Sequence, residues 1–178
     1  MNYIITTDRL GLRNWKSSDE APFAEMCADP EVMQHFPKPL STDESIALIK
    51  RLQSHFEKYG YCYFAVDILD TSEFIGFIGL ANQTWESEFT PCVDIGWRLK
   101  RSAWGQGYAT EGAKACLDAA FSKFNVSEVL AFATDTNLPS QKVMKKIGMN
   151  DIGTVQHPQI IDDPRFQYCV VYKSIMQA

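Results

Sequence analysis

Two glycines one residue apart, Gly105 and Gly107, stand between a strand-like run and a helix-like run. Val93, Ile95, Trp97 and Leu99 alternate with Asp94, Gly96, Arg98 and Lys100, the period of a β-strand. After the glycines, Ala109, Ala113, Cys116, Leu117, Ala120, Phe121 and Phe124 recur at helical spacing. Glycine lets a backbone come close to a ligand because no Cβ intervenes. The first amides of a helix lack intrahelical partners, and the helix dipole puts partial positive charge beside them. Strand, Gly-x-Gly and helix in this order predict a site for a phosphate-bearing ligand. The plain alternative is a tight turn.

Other chemistry is hard to find. The three histidines, His35, His55 and His157, give no zinc spacing, so no metal is expected. The five cysteines form no Cys-x-x-Cys pair and suit a reducing, cytoplasmic home.

The positioning elements can be read along the chain. Arg9 to Trp15 reads as a first strand. Ser17-Ser18-Asp19-Glu20 and Ser41-Thr42-Asp43-Glu44 have capping-box spacing and predict helices ending near Ala28 and Gly60. Strands are expected at about Cys62–Leu69 and Phe74–Ala81, then Val129–Thr134, with a helix near Pro139–Ile147 stopped by Gly148. Two more strands follow, around Ile152–Val155 and Gln167–Tyr172. Short connections in the first half favour antiparallel pairing. Only Val93 to Thr134 reads as the strand–helix–strand crossover that makes strands parallel. The expectation is one mixed α/β (α+β) domain over residues 1–178.

Composition narrows the function. Hydrophobic residues at 46% and charged residues at 22% describe an ordinary globular chain. A net charge of −5 argues against binding nucleic acid through phosphate neutralisation and suits a cationic amine. No run is apolar enough to span a membrane, and the first residues lack a signal peptide's pattern. A dinucleotide-binding oxidoreductase is disfavoured. The third glycine of its motif is replaced by Thr110, and repeated βαβ units are missing, although Glu128 lies at a suitable distance. A Walker loop fails because no Gly-Lys-Ser/Thr follows.

Trp104-Gly105-Gln106-Gly107-Tyr108-Ala109 resembles the Arg/Gln-x-x-Gly-x-Gly/Ala turn of the GNAT acetyltransferase superfamily, with Trp104 where Arg or Gln is usual. With Thr110-Glu111 it resembles the branch that acetylates the N-termini of ribosomal proteins. Thr7-Asp8-Arg9-Leu10 with Leu12-Arg13, Asn137-Leu138-Pro139-Ser140 with Val143, Lys146, Gly148 and Met149, and His157-Pro158 with Val170-Val171-Tyr172 are similar to the same branch. The resemblance implies a largely antiparallel sheet of about seven strands with a splayed parallel central pair, flanked by helices.

It also implies acetyl-coenzyme A as cosubstrate and an amine acceptor, either a protein N-terminus or a small molecule, for a monomer or homodimer. Gly105, Gln106, Gly107, Tyr108, Ala109 and Thr110 would hold the pyrophosphate, with Trp104 and Tyr108 covering it or merely packing. The pantetheine would lie beside Trp97–Leu99, where the family bulges this strand, and the Leu99 amide would meet the thioester oxygen. Asp94 is either the base or a solvated or salt-bridged strand carboxylate. Ser140 stands at the position of a proposed acid, or it caps and packs its helix. Asn137 binds the cosubstrate or caps the same helix. Met144 occupies the position of the tyrosine that many relatives use. Glu111 reads as a first-turn helix acid. Acceptor recognition is expected from the first helices, Trp85–Glu88 and the terminal hairpin; Glu25, His35, Glu86 and Glu88 there read as surface. A non-catalytic acyl-coenzyme A sensor is the alternative of another class.

Overall fold

The computed structural model describes residues 2–157 and 163–176; Pro158, named above, lies outside them. The chain opens with a hairpin of β1 (Ile5–Thr6) and β2 (Leu10–Arg13). A 3-10 turn leads into α1 (Glu20–Ala28), and α2 (Thr42–Tyr59) follows. Then come β3 (Tyr63–Ile68), β4 (Glu73–Gln83), β5 (Cys92–Leu99), α3 (Tyr108–Ser122) and β6 (Glu128–Thr134). The chain continues with α4 (Leu138–Lys146), β7 (Asn150–Gln156) and β8 (Tyr168–Ile175). The sheet has eight strands in the order β1-β2-β3-β4-β5-β6-β8-β7. The strand beyond the expected seven is the two-residue β1, too short to carry an alternation signal.

The expected caps explain two helix ends. Ser41 Oγ accepts from the Glu44 amide at 3.2 Å, and the Glu44 carboxylate accepts from the Ser41 amide at 2.7 Å. Gly60 ends α2 at a left-handed φ of 78°. The other predicted box is shifted by one residue: Asp19, not a serine, accepts from the Lys16 amide at 2.8 Å. Asp19 is also buried against Arg13, whose guanidinium grips Asp19 and Asp67 with four contacts of 2.6–2.9 Å.

Consecutive strand residues serve opposite faces. Phe77 meets Phe23 of α1 across the sheet's first face, with ring centroids 6.3 Å apart. Ile78 faces α3, where Gly112 lets the helix close in; a Cβ there would stand 2.4 Å from Ile78 Cδ1.

All pairs are antiparallel except β5–β6. That parallel pair is in register only at Asp94–Leu130. The bulge expected in β5 is not there: β4 and β5 stay in register from Gly76–Leu99 to Gln83–Cys92. The splay has another cause. β5 follows β4 along its whole length, β6 follows β8 from Glu128–Ile175 to Thr134–Cys169, and two twisted half-sheets diverge between them.

Candidate functional site

The splay opens a cavity of about 850 Å³ between β5, β6, the start of α3, α4 and the loop after α1. Asp94, Trp97, Leu99, Trp104, Gly105, Gly107, Tyr108, Ala109, Thr110, Asn137 and Ser140 all line it. Gln106 does not. It is exposed, and its carbonyl accepts from Arg9 Nη1 at 3.0 Å, because the turn aims that residue outward.

At one end lies the start of α3. Gly105 and Gly107 have φ of 73° and 82°, where an L-residue is strained. Gly107 is the cap residue, and no side chain satisfies the first amides. By contrast, α2 and α4 are capped by Ser41 and Asn137. The uncapped amides of α3 therefore remain free for an anion. Lys142 and Lys146, one turn apart on α4, add positive charge to the same cavity. Glu111 braces the turn: it accepts from Thr7 Oγ1 at 2.6 Å and Arg9 Nε at 2.7 Å. Partial burial opposes ionisation of Glu111, but these hydrogen bonds outweigh it and hold the carboxyl below its usual range. Arg9 also stacks on Tyr108, 4.6 Å from the ring centroid. The Thr7–Arg9 segment is thus a strut for the glycine turn.

Further along, β5 presents backbone groups. The Lys100 amide donates to Ile75 of β4 at 2.8 Å. Amide directions alternate along a strand, so the Leu99 and Trp97 amides point away from β4, toward the gap where β6 offers no paired residue. The Leu99 carbonyl on that side accepts from Trp104 Nε1 at 2.9 Å. Trp104, 41% exposed, is therefore fixed to the end of β5.

Asp94 is neither solvated nor ion-paired. It is 8% exposed, and Tyr63 Oη lies 2.7 and 2.8 Å from its two oxygens, with Gln83 Nε2 3.1 Å from one of them. Burial pushes its carboxyl up to about 6, against the opposing pull of the hydrogen bonds. The polar face of β5 points into the cavity rather than to solvent, which alternation alone could not distinguish.

Asn137 caps α4, its Oδ1 accepting from the Ser140 amide at 3.2 Å. Ser140 is consequently not the cap, and its half-buried hydroxyl lines the cavity. Met144 is buried and lines the cavity as well.

Sequence reading missed several residues. His35 and Phe36, in the loop after α1, line the cavity, whereas Glu86 and Glu88 are exposed and Glu25 faces a separate shallow pocket. Burial holds the His35 imidazole below its ordinary value. His157 lines the far wall, 4.9 Å from the Trp85 ring. Arg98 Nε and Thr134 Oγ1 are the two buried side-chain atoms without a hydrogen-bond partner among the described residues, and both residues line this cavity. Buried polar groups are ordinarily satisfied, so these two unpartnered atoms set the cavity wall apart from the rest of the described interior. No group of three or more metal-ligating side chains occurs among the described residues, and no described helix is long and apolar enough to cross a membrane.

A family model described as an acetyltransferase (GNAT) domain matches residues 9–150. An uncharacterized N-acetyltransferase of Bacillus subtilis, YnaD, is 32% identical over 151 residues, 84% of each chain. An acetyltransferase of the GNAT family from Bacillus anthracis superposes with a TM-score of 0.79 at 22% identity, over 96% of this chain and 97% of that one. The ribosomal L7/L12 α-N-protein acetyltransferase RimL, in complex with coenzyme A, superposes with a TM-score of 0.80 at 15% identity over 98% of both chains.

Proposed function

The chain belongs to the GNAT family of acetyl-coenzyme-A-dependent N-acetyltransferases, and on that premise we propose that it moves the acetyl group directly to a primary amine of a protein N-terminus or a small molecule. The observation that carries this reading is the Leu99 amide: it points into the strand gap within the same cavity as the uncapped start of α3 and the buried Asp94.

Each residue then has a task. The backbone amides from Gly105 to Thr110, across the turn and the first residues of α3, hold the pyrophosphate, Gln106 contributing backbone alone, and Lys142 and Lys146 neutralise further phosphate charge. Trp97 and Leu99 line the pantetheine arm, with Trp104 as its cover and the Asn137 cap at its far side. The Thr134 hydroxyl stands along the same path.

The Leu99 N–H donates to the thioester oxygen as negative charge develops there. Asp94, through a water molecule, takes a proton from the acceptor ammonium, which leaves the neutral amine free to attack. The nitrogen–carbon bond forms, the carbon–sulfur bond breaks, and the Ser140 hydroxyl passes a proton to the leaving thiolate while it regains one, through water, from the nitrogen that becomes the amide. No cysteine is required as an acetyl carrier. Cys169, the cysteine that lines the cavity, has its thiol pushed up to about 11 by burial, where it is a poor nucleophile. We place this activity in one domain spanning the chain, in a reducing cytoplasm suited to five free thiols.

Coenzyme A release, followed with a thiol reagent across amines and peptide N-termini, tests the proposal. Acceptor-dependent release is expected. Tight acetyl-coenzyme A binding without it would favour a sensor, the reading to which Met144, standing where a tyrosine is usual, lends weight. Acetylated enzyme trapped without acceptor in a single turnover, and competent to pass its acetyl on, would overturn direct transfer.

A further inference from the structure

Two arginines sit inside this fold, and they are treated in opposite ways. Arg13 has two carboxylates, and its Nε and Nη2 together grip Asp67 side-on, at 2.6 Å each. Arg98 has none: no Asp or Glu lies within ion-pairing distance among the described residues. Its Nη1 donates to the Cys27 thiol at 3.3 Å, and its guanidinium carbon lies 4.1 Å from the Phe36 ring centroid and 5.4 Å from that of Phe77. These contacts fix the plane of the group and leave the Nε–Nη2 edge without an acceptor, with Nε fully buried. That edge is the one Arg13 uses for a carboxylate.

Arg98 is half-buried and its Nε fully so, and an oriented, unpaired guanidinium in that setting is costly unless a counter-ion arrives. Asp94, four residues back on the same strand face, is not that counter-ion. The two form no ion pair, and the Tyr63 ring, whose hydroxyl bonds Asp94, packs over Gly96 between them. We propose that Arg98 anchors a carboxylate on the acceptor, which makes the acceptor a small amino acid rather than a simple amine or polyamine. This rests on the acetyl-transfer reading above and narrows its substrate class. A planar carboxylate matches this unpartnered edge, entering from the Nη2 side because Nε is covered by protein, and the Phe36 and Phe77 rings preorganise the fork. The amine of the same molecule then lies along the β5 face that also carries Asp94, within the roughly 13 Å that four strand residues span.

The test uses matched pairs, tyrosine with tyramine and lysine with cadaverine, read both by coenzyme A release and by calorimetric binding to the coenzyme-A-loaded protein. The wild-type kcat/KM is expected to favour the acid of a pair at least tenfold. Arg98→Met is expected to bring that ratio close to one, mainly through KM. Arg98→Lys keeps the charge but not the fork and is expected to fall between them; it also answers the question should the methionine variant fail to fold. Equal use of acid and amine by the wild type, or an unchanged ratio in the variants, would overturn the anchor while leaving acetyl transfer standing. Calorimetric binding of the acids that depends on Arg98, with no coenzyme A released from any amine, would sustain the anchor and overturn the transferase reading instead. Failure of both acids to bind the wild type would overturn the anchor.

Discussion

The Tyr63 hydroxyl lies within 2.8 Å of both oxygens of Asp94. This contact joins β3 to β5 across the intervening strand and seals a carboxylate inside the sheet. It lowers the energy of the ionised form, yet burial wins, and Asp94 titrates near 6 instead of near 4.

If Asp94 is the base, kcat with saturating acceptor should fall tenfold per pH unit below about 6, and Asp94→Asn should lose at least a hundredfold. A profile of coenzyme A release from pH 5 to 9 checks both. A wild-type profile flat through 6, or an active asparagine variant, would remove Asp94 from the mechanism.

The same group makes a stability prediction of opposite sign. Because its folded pKa is raised, the native state binds the proton more tightly than the unfolded chain, so stability falls as pH rises between about 4 and 6. The penalty above that window is about 3 kcal/mol. Asp94→Asn should therefore melt several degrees above the wild type at pH 8, with the gap shrinking toward pH 4. Thermal melts at the two pH values would expose the prediction as wrong if the gap were constant.

Gly107→Glu should abolish acetyl-coenzyme A binding while the chain stays folded, since it sets a carboxylate where the phosphate charge would sit. Gly105→Ala, with open space around its Cβ, should cost only the left-handed backbone strain, about 1 kcal/mol. Calorimetry and circular dichroism separate the two, and undiminished binding by the glutamate variant would place the cosubstrate elsewhere.

Ser140→Ala should lower kcat more than cosubstrate affinity. Equal losses in both would make Ser140 a binding residue rather than an acid.

Asn137→Ala should lose about 1 kcal/mol through the α4 cap. Asn137→Asp keeps the accepting oxygen and should restore the melting temperature. A loss of coenzyme A affinity that persists in the aspartate variant would show that the amide nitrogen also contacts the cosubstrate.

Much of the site was legible because it is contiguous in sequence. The turn at Gly105–Gly107 carries its own signal, and the cap of α4 sits within four residues. Tyr63 and Arg98 were not legible for a different reason. Alternation gave the face of Arg98 correctly but could not say that the loop bearing His35 and Phe36 folds over that face. The pairing of Tyr63 with Asp94 spans 31 positions and depends on the β3–β4–β5 register. The splay was expected, but its cause was misassigned. A bulge belongs to one strand and can be guessed locally. Divergence of two half-sheets depends on which neighbour each strand follows, and that is a property of the whole sheet.

The single register point at Asp94–Leu130 has a mechanical meaning. The sheet is two ribbons joined at a spot weld, and the slot beside it exposes strand amides that a ladder would otherwise consume. A pantetheine arm bound as proposed would become a temporary rung. The bonds that the fold leaves unmade would then be lent to the cosubstrate, so cohesion across this seam should strengthen on loading and weaken with every product released.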